Sequence, residues 1–487
     1  MSQFYTATDH FAVLPALLLA LFGCGLFIVD FFLKPEQKSR LVWVLLLAEG
    51  FTAAALYRQQ AFLASRPGMD IVAFRGALTI DGLSVFFNWI FIATAVLVAL
   101  ISYCYLAIER EHHGEYYGLI LMAQTGMFFL AASTDLVTIF VGLELMAVTF
   151  YVMVGFLRSD RRSNEAALKY LVLGAFSSGF LAYGFSLLYG LSGSTRLGAV
   201  TAALTQRDPW DPVFFLALVT TAVGLLFKIA AVPFHMWAPD TYEGAPTTVT
   251  AFLAVGSKAA SFALLLRLFQ GPLASARDVW EPMLIVVALL SLTVGNLAAV
   301  TQTNLKRLLA YSSISHAGYM LLGVIAGNQR GMQAVAIYAL VYTFMTVGAF
   351  LVIVALRRKD MLGEDIDDLA GLMQKSPGYA VLMLIFLLSL SGLPPTAGFI
   401  GKYYIFLSLV ETGHYLLAAV AALYVAVAIF YYFRIVRSMF LADVEDQTPL
   451  SSSWGMRVAL VVSGALTLAI GILPEPFLKL AQTSVLR

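Results

Sequence analysis

Apolar residues gather into fourteen runs along the chain, most of them about 20 residues long, with short polar stretches between them. The runs cover approximately 11–33, 41–58, 81–106, 115–131, 134–157, 165–190, 212–232, 247–270, 280–299, 307–326, 331–356, 378–410, 415–440 and 455–480. About 20 helical residues cross the roughly 30 Å of hydrocarbon in a bilayer, so the pattern predicts an all-α polytopic membrane protein with about fourteen transmembrane helices. The largest loops are 59–80 and 357–377. The second, "RRKDMLGEDIDDLAGLMQK", reads as a loop with a short amphipathic helix, and no stretch is long and polar enough for a soluble domain. The opening "MSQFYTATDHFAVLPALLLALFGCGLFIVDFFLK" has no basic leader region or small-residue cleavage site, so it reads as a retained first span.

Composition agrees with this class. Of the 487 residues, 60% are hydrophobic and 12% charged, and the mean hydropathy is +0.84, values a water-soluble globule does not reach. The net charge of +1, with no long block of one sign, argues against nucleic-acid binding and against a polybasic lipid tether. Cys24 and Cys104 lie in separate apolar runs without a CxxC or Cys/His cluster, which argues against a disulfide framework, an iron–sulfur cluster or a zinc site. With the N-terminus outside, inner loops hold 16 of the 30 lysines and arginines and outer segments 10. The positive-inside rule then places both termini on the outer side. The remaining four, Lys169, Lys228, Lys258 and Lys402, fall within spans.

All four are lysines, and that choice has a chemical reading. Arginine keeps its proton in any protein environment, whereas a desolvated lysine can give it up. Each costs about 2.5–3.5 kcal/mol at a helix centre on insertion scales, so four together call for a role beyond bulk. Lys169, near the start of its span, has a structural ion pair or snorkelling to an interface as its alternative reading. The acid placed to act on a lysine is Glu144, midway along the fifth run in "VGLELMAVTF". Glu49 is also inside a span, and Asp30 sits near a span end, within reach of headgroups. Helix breaks fall beside two of the lysines. Lys228 precedes Pro233 in "FKIAAVPFHMWAP", and Lys402 follows "SGLPPTAGFIG" with Pro394 and Pro395. Proline interrupts helical hydrogen bonding, and unwound backbone at membrane depth needs protein or water beside it. Lys228 and Lys402 are 174 residues apart, and Glu144 and His316 are 172 apart. This suggests that helices 4–8 repeat as helices 9–13, and five helices per repeat require the copies to be inverted in the bilayer. The resulting division is 1–110 (helices 1–3), 111–270 (first repeat), 271–440 (second repeat) and 441–487 (helix 14). His316, in "SSISHAGY", and His235 are candidate proton relays. Only His316 is clearly placed inside the membrane, which argues against a bis-histidine haem.

The segments "GLELMAVTFYVMVGF", "EAALKYLVLGAFSSG", "GLLFKIAAVPFHMWAPDTYEGAPTTVTAFLAVGSKAA", "QTNLKRLLAYSSISHAGYML" and "SGLPPTAGFIGKYYIF" resemble the antiporter-like membrane subunits of respiratory complex I, the proton-translocating NADH-quinone oxidoreductase, in their N-type branch. The resemblance is strong over about 80–440. Lys402 stands where M-type chains typically carry glutamate, no long lateral helix of the L type follows, and fourteen helices resemble the bacterial or plastid form. The resemblance implies that Glu144 and Lys228 form the charge pair of a first half-channel, modulated by Lys169. It implies that Lys258 and His316 make the central connection, and that Lys402 serves a second half-channel. It also implies M-type, L-type and K-type neighbours in a bacterial inner membrane. NADH, FMN, iron–sulfur clusters and quinone would be handled by partner subunits, with no cofactor in this chain. A cation/proton antiporter or membrane-bound hydrogenase subunit would use the same lysines and would show sodium dependence. A purely structural module would tolerate neutral replacements at Lys228 and Lys402.

Overall fold

The computed structural model describes residues 5–358, 363–444, 450 and 452–486. Lys359 and Arg487, counted among the flanking cations, lie outside the described residues, as do residues 360–362 of the 357–377 loop. Fourteen transmembrane elements follow in order: α1 Ala7–Phe32, α2 Leu41–Ser65, α3 Gly82–Glu109, α4 Gly114–Ala132, α5 Leu136–Val154, α6 Arg161–Ser192, α7 in two halves (Pro212–Lys228 and Trp237–Gly244), α8 Thr247–Phe269, α9 Arg277–Thr301, α10 Leu305–Ala326, α11 Gln329–Leu356, α12 in two halves (Pro377–Ser391 and Ala397–Glu411), α13 Tyr415–Leu441 and α14 Trp454–Ile472. Among the described residues, eleven helices are long and apolar enough to span alone; α4 and the broken α7 and α12 complete the set.

Polar residues at the helix starts explain where the apolar runs become helices. Asp81 caps α3 through the Ser84 amide, Asp135 caps α5, Asp160 caps α6, Asp211 caps α7 ahead of Pro212, and Asn304 and Asn328 cap α10 and α11. Each side chain accepts from first-turn N–H groups that have no helical partner. Helix interiors follow the same accounting. Pro15 removes a backbone donor from α1, and the Gln59 amide of α2 donates to the carbonyls of Phe11 and Ala12 at 2.8 and 3.0 Å, taking over the Phe11 acceptor that the proline left free.

Some elements differ from the sequence expectation. The 59–80 loop is shorter, because α2 continues to Ser65 and an antiparallel pair, Ile71–Ala73 with Leu78–Ile80, fills the rest. The described residues of the 357–377 loop hold a 3₁₀ turn at Asp367–Leu369 and a single turn at Leu372–Lys375. The last run ends at Ile472 and restarts as Glu475–Gln482, since Pro474 and Pro476 interrupt the ladder. An unanticipated short helix, Leu197–Leu204, follows α6. Asp30 does not reach out to headgroups: it is buried, pairs with Lys38 at 2.8 Å and accepts from the Gly114 amide.

The most apolar windows of α8, α10 and α11 are 100%, 94% and 94% buried, against 33% for α1 and α13, so these three helices form the centre and the others wrap them. On one side α4 and α5 meet at glycines: a Cβ on Gly126 would lie 2.6 Å from the Gly142 carbonyl oxygen. At one end of the bundle a charge cluster ties distant elements together. Glu364, in the α11–α12 connection, accepts from Lys306 of α10 and Arg162 of α6, both at 3.0 Å, with Arg357 at 3.6 Å. Arg357 also pairs with Glu109 of α3 at 2.7 Å. Arg307 bridges Asp240 and Glu243 of the second half of α7 at 2.8 and 3.0 Å.

Candidate functional site

The first half of α7 ends at Lys228. Beyond it Ala230 takes a left-handed φ of 56° and the Val232–Pro233 bond is cis. The freed polar groups find partners: the Trp237 indole donates to the Phe227 carbonyl at 2.9 Å, and Ser291 of α9 accepts from the Val232 amide at 2.9 Å. Lys228 is the exception. It is 2% exposed, and among the described residues its Nζ has no hydrogen-bond partner, only the Tyr151 and Phe227 rings at 6.0 and 5.9 Å. A buried ammonium without acceptors is costly, so the site offers little that favours the charged form. Glu144 of α5 is half-buried and takes a 2.5 Å hydrogen bond from Ser178 of α6. Among the described residues no ion pair within 4.0 Å joins Glu144 to Lys228, and the carboxylate acts on the lysine through space.

Lys258 opens the last stretch of α8 directly after a π-helical turn, Leu253–Ser257. Such turns re-aim side chains and recur at functional sites. Lys258 is 1% exposed and donates to the carbonyl and hydroxyl of Ser313 on α10 at 2.6 and 2.7 Å. One turn further along α10, His316 shares a 2.7 Å hydrogen bond with the Tyr338 hydroxyl of α11. Lys402 and Lys258 are the charged groups that act on His316 through space.

Lys402, 3% exposed, lies in the second half of α12 but reaches back across the break. Its Nζ donates to the carbonyls of Ser391 (2.8 Å) and Leu390 (3.2 Å) at the end of the first half, and stands 4.7 Å from the centre of the Tyr319 ring. A helix C-terminus exposes unpaired carbonyls and a negative dipole end, so this ammonium is solvated by backbone. Lys228 and Lys402 thus stand on opposite sides of their breaks, and their 174-residue offset relates the two broken helices rather than equivalent lysine positions.

The remaining residues divide clearly. Lys169 does not sit in the interior: its side chain is 44% exposed and pairs with Glu165 and Asp240 at 2.9 and 2.8 Å. It faces outward because the buried face of α6 runs through Ala166, Tyr170 and Gly174. It still touches the second half of α7 through Asp240. His235 is half-buried in the α7 break, with a buried Nδ1 that has no partner. Pro233, Pro394 and Pro395 break the helices as expected, with their rings exposed; the Pro394–Pro395 bond is also cis. Sequence reasoning missed Ser178, Ser291, Ser313, Trp237 and Tyr338 as polar partners. The run "SSISHAGY" contained one signal, a serine one turn ahead of the histidine.

Gly392 closes the first half of α12 with φ 83°, and a Cβ there would meet Lys402 Cδ at 2.6 Å. Gly392→Ala is expected to cost about 1–2 kcal/mol for the left-handed backbone and to push Lys402 off its carbonyls. Proton uptake driven by NADH in inside-out vesicles should fall as far as in Lys402→Ala, with assembly retained. Wild-type uptake would show that the carbonyl contact is dispensable.

Comparison with known proteins agrees with this geometry. The family described as NADH:quinone oxidoreductase/Mrp antiporter, TM, matches residues 133–429. A relative from Solibacter usitatus named NADH-quinone oxidoreductase subunit N 2 is 65% identical over 489 aligned residues, covering 100% of this chain and 99% of that one. A chain of respiratory complex I from Thermus thermophilus, solved with bound aureothin, superposes with a TM-score of 0.80 at 35% identity, covering 96% of this chain and 100% of that chain. A chain of the Mrp complex from a Dietzia species has the same fold, with a TM-score of 0.84 at 20% identity over 99% of this chain and 97% of that one. A full-length relative at this identity, together with two broken helices lined by buried lysines, means that the chain belongs to the NADH:quinone oxidoreductase/Mrp antiporter membrane-subunit family, in its subunit N branch.

Proposed function

We propose that this chain is a membrane-arm subunit of an NADH-quinone oxidoreductase and moves protons across the membrane, driven by redox chemistry in partner subunits. The observation that carries the reading is the set of buried lysines, Lys228, Lys258 and Lys402, in a chain 65% identical over its full length to a subunit N. Lys228 is the group that exchanges a proton most readily, since nothing holds its ammonium in place. Glu144 sets its charge balance from α5, and Ser178 tunes how much of the carboxylate charge reaches it. Lys258, Ser313, His316 and Tyr338 supply hydrogen-bonding steps through the centre, and Lys402 at the α12 break is the last lysine of the series. Lys169, through Asp240, ties α6 to the second half of α7 and so acts as a positioning residue. His235, with its open Nδ1, lines the α7 break.

In this reading 111–270 and 271–440 are the two inverted units, flanked by 1–110 and 441–487. The chain lies in the bacterial inner membrane with both termini outside, beside M-type, L-type and K-type subunits. NADH, FMN, iron–sulfur clusters and quinone are handled by other subunits of the complex. The test is NADH-driven acidification of inside-out vesicles with and without sodium. Acidification undiminished in sodium-free buffer is the expected result. A strict sodium requirement would overturn proton translocation in favour of the cation/proton antiporter reading.

A further inference from the structure

A buried acid of α2 stands outside the lysine series. Glu49 of α2 is 2% exposed and has no cation within 4.0 Å among the described residues. Of the acids on the packed helices, Asp9 caps the start of α1 and Asp30 pairs with Lys38 at its other end. Tyr105 of α3 and Tyr117 of α4 make no hydrogen bond to Glu49, and neither does Arg58 on α2 itself. Among the described residues its one side-chain hydrogen bond is with Gln124 of α4, whose Nε2 donates to Glu49 Oε2 at 3.1 Å. Two oxygens are then left over on this touching pair, Glu49 Oε1 and Gln124 Oε1, both buried and both without a partner.

Two orphaned acceptors cost about 1–3 kcal/mol each, and an unpaired buried carboxylate costs several kcal/mol more. A single proton removes all three penalties. A protonated carboxyl is one O–H donor with an acceptor beside it, the complement of a carboxamide. With the proton on Oε1, the O–H donates to Gln124 Oε1 while Gln124 Nε2 donates back to Oε2, closing a two-bond ring.

The position gives this ring a place in the molecule. Gln124 lies two residues before Gly126, where α4 touches Gly142 of α5, and Glu144 lies two residues after Gly142. Glu49 therefore stands across α4 at the level of Glu144. We propose that Glu49 is a proton-binding carboxyl, held neutral in a ring with the Gln124 amide, that extends the row of titratable groups across α4 into the first helices. Its part in turnover rests on the pumping reading; its resting protonation does not.

The experiment is infrared difference spectroscopy on the intact purified complex, wild type against Glu49→Gln, in H₂O and D₂O at neutral pH. The glutamine variant keeps a complementary amide–amide ring, so assembly is expected to survive. The wild type should show the C=O stretch of a protonated carboxyl, lowered in D₂O. Gln124→Leu, which opens the ring from the other side, should shift that band. On NADH-driven turnover the band should lose intensity. A carboxylate antisymmetric stretch in place of the C=O band overturns the proposal outright. A carboxyl band that is present but unchanged by turnover overturns the extension of the row and leaves only a static acid. If Glu49→Gln does not assemble, the Gln124→Leu difference alone decides, since a carboxylate would leave the carboxyl region empty.

Discussion

Lys228→Ala is expected to lower NADH-driven acidification of inside-out vesicles, and the quinone reduction coupled to it, at least tenfold, a change of about 1.4 kcal/mol in the effective barrier. The complex should still assemble. Lys228 makes no hydrogen bond, so alanine breaks none, and removing the ammonium relieves a burial cost of about 2.5–3.5 kcal/mol against the packing lost with its stem. Lys228→Arg sharpens the test. Arginine keeps the charge and fills the space but does not discharge, so it should be as inactive as alanine if proton exchange is what the position does. If arginine restores acidification, a fixed positive charge suffices there. Wild-type acidification in the alanine variant would make the lysine structural.

Glu364→Ala should cost the assembled protein about 3–5 kcal/mol, read as a lowered thermal midpoint and reduced retention of this subunit. The size follows from what the acid leaves behind. Lys306 is 1% exposed and Arg357 9%, and a buried charge stripped of its partner is among the most destabilising single changes. Burial alone would raise the Glu364 carboxyl, but Lys306 and Arg162 outweigh it and hold the group below the ordinary carboxylate range. The sign for pH follows from that direction. A depressed folded-state value stabilises above the unfolded value of about 4.3 and loses the contribution as pH falls through the folded value. Acid unfolding should therefore separate wild type from Glu364→Gln at neutral pH and bring them together only below about pH 4. Equal stability of the two at pH 7 would mean that the cluster contributes nothing net.

How far the sequence reaches is set by how local each signal is. A bilayer demands about 20 apolar residues per crossing, so the fourteen runs stand out without tertiary information, and Pro233, Pro394 and Pro395 mark the breaks because proline acts on its own helix. Lysine inside an apolar run is equally visible, and three of the four are buried. Lys169 is set apart from them only by its place near the start of its span. Whether a helical side chain faces protein or surroundings depends on rotation about the axis, and at α6 the buried stripe passes one residue away, at Tyr170. Contacts were less accessible still. Ser313 is 55 residues from Lys258 and Ser178 is 34 from Glu144, and no local pattern says which serine lands beside which charge. The same limit applies to Glu144 and Lys228: opposite charges on different helices suggest a charge pair, but the distance between them and the Ser178 hydroxyl bound to the carboxylate are set by tertiary packing.

The indole of Trp237 clasps the last carbonyl before Lys228, so the two halves of α7 are joined across their gap by one directional bond beside the lysine. The far half is gripped at its other end by Arg307 through Asp240 and Glu243. Mechanically this is a lever with its fulcrum at the indole and its handle in the charge cluster. A displacement applied at the handle turns the far half about a point one residue from Lys228, where a small rotation is enough to change what the amine faces.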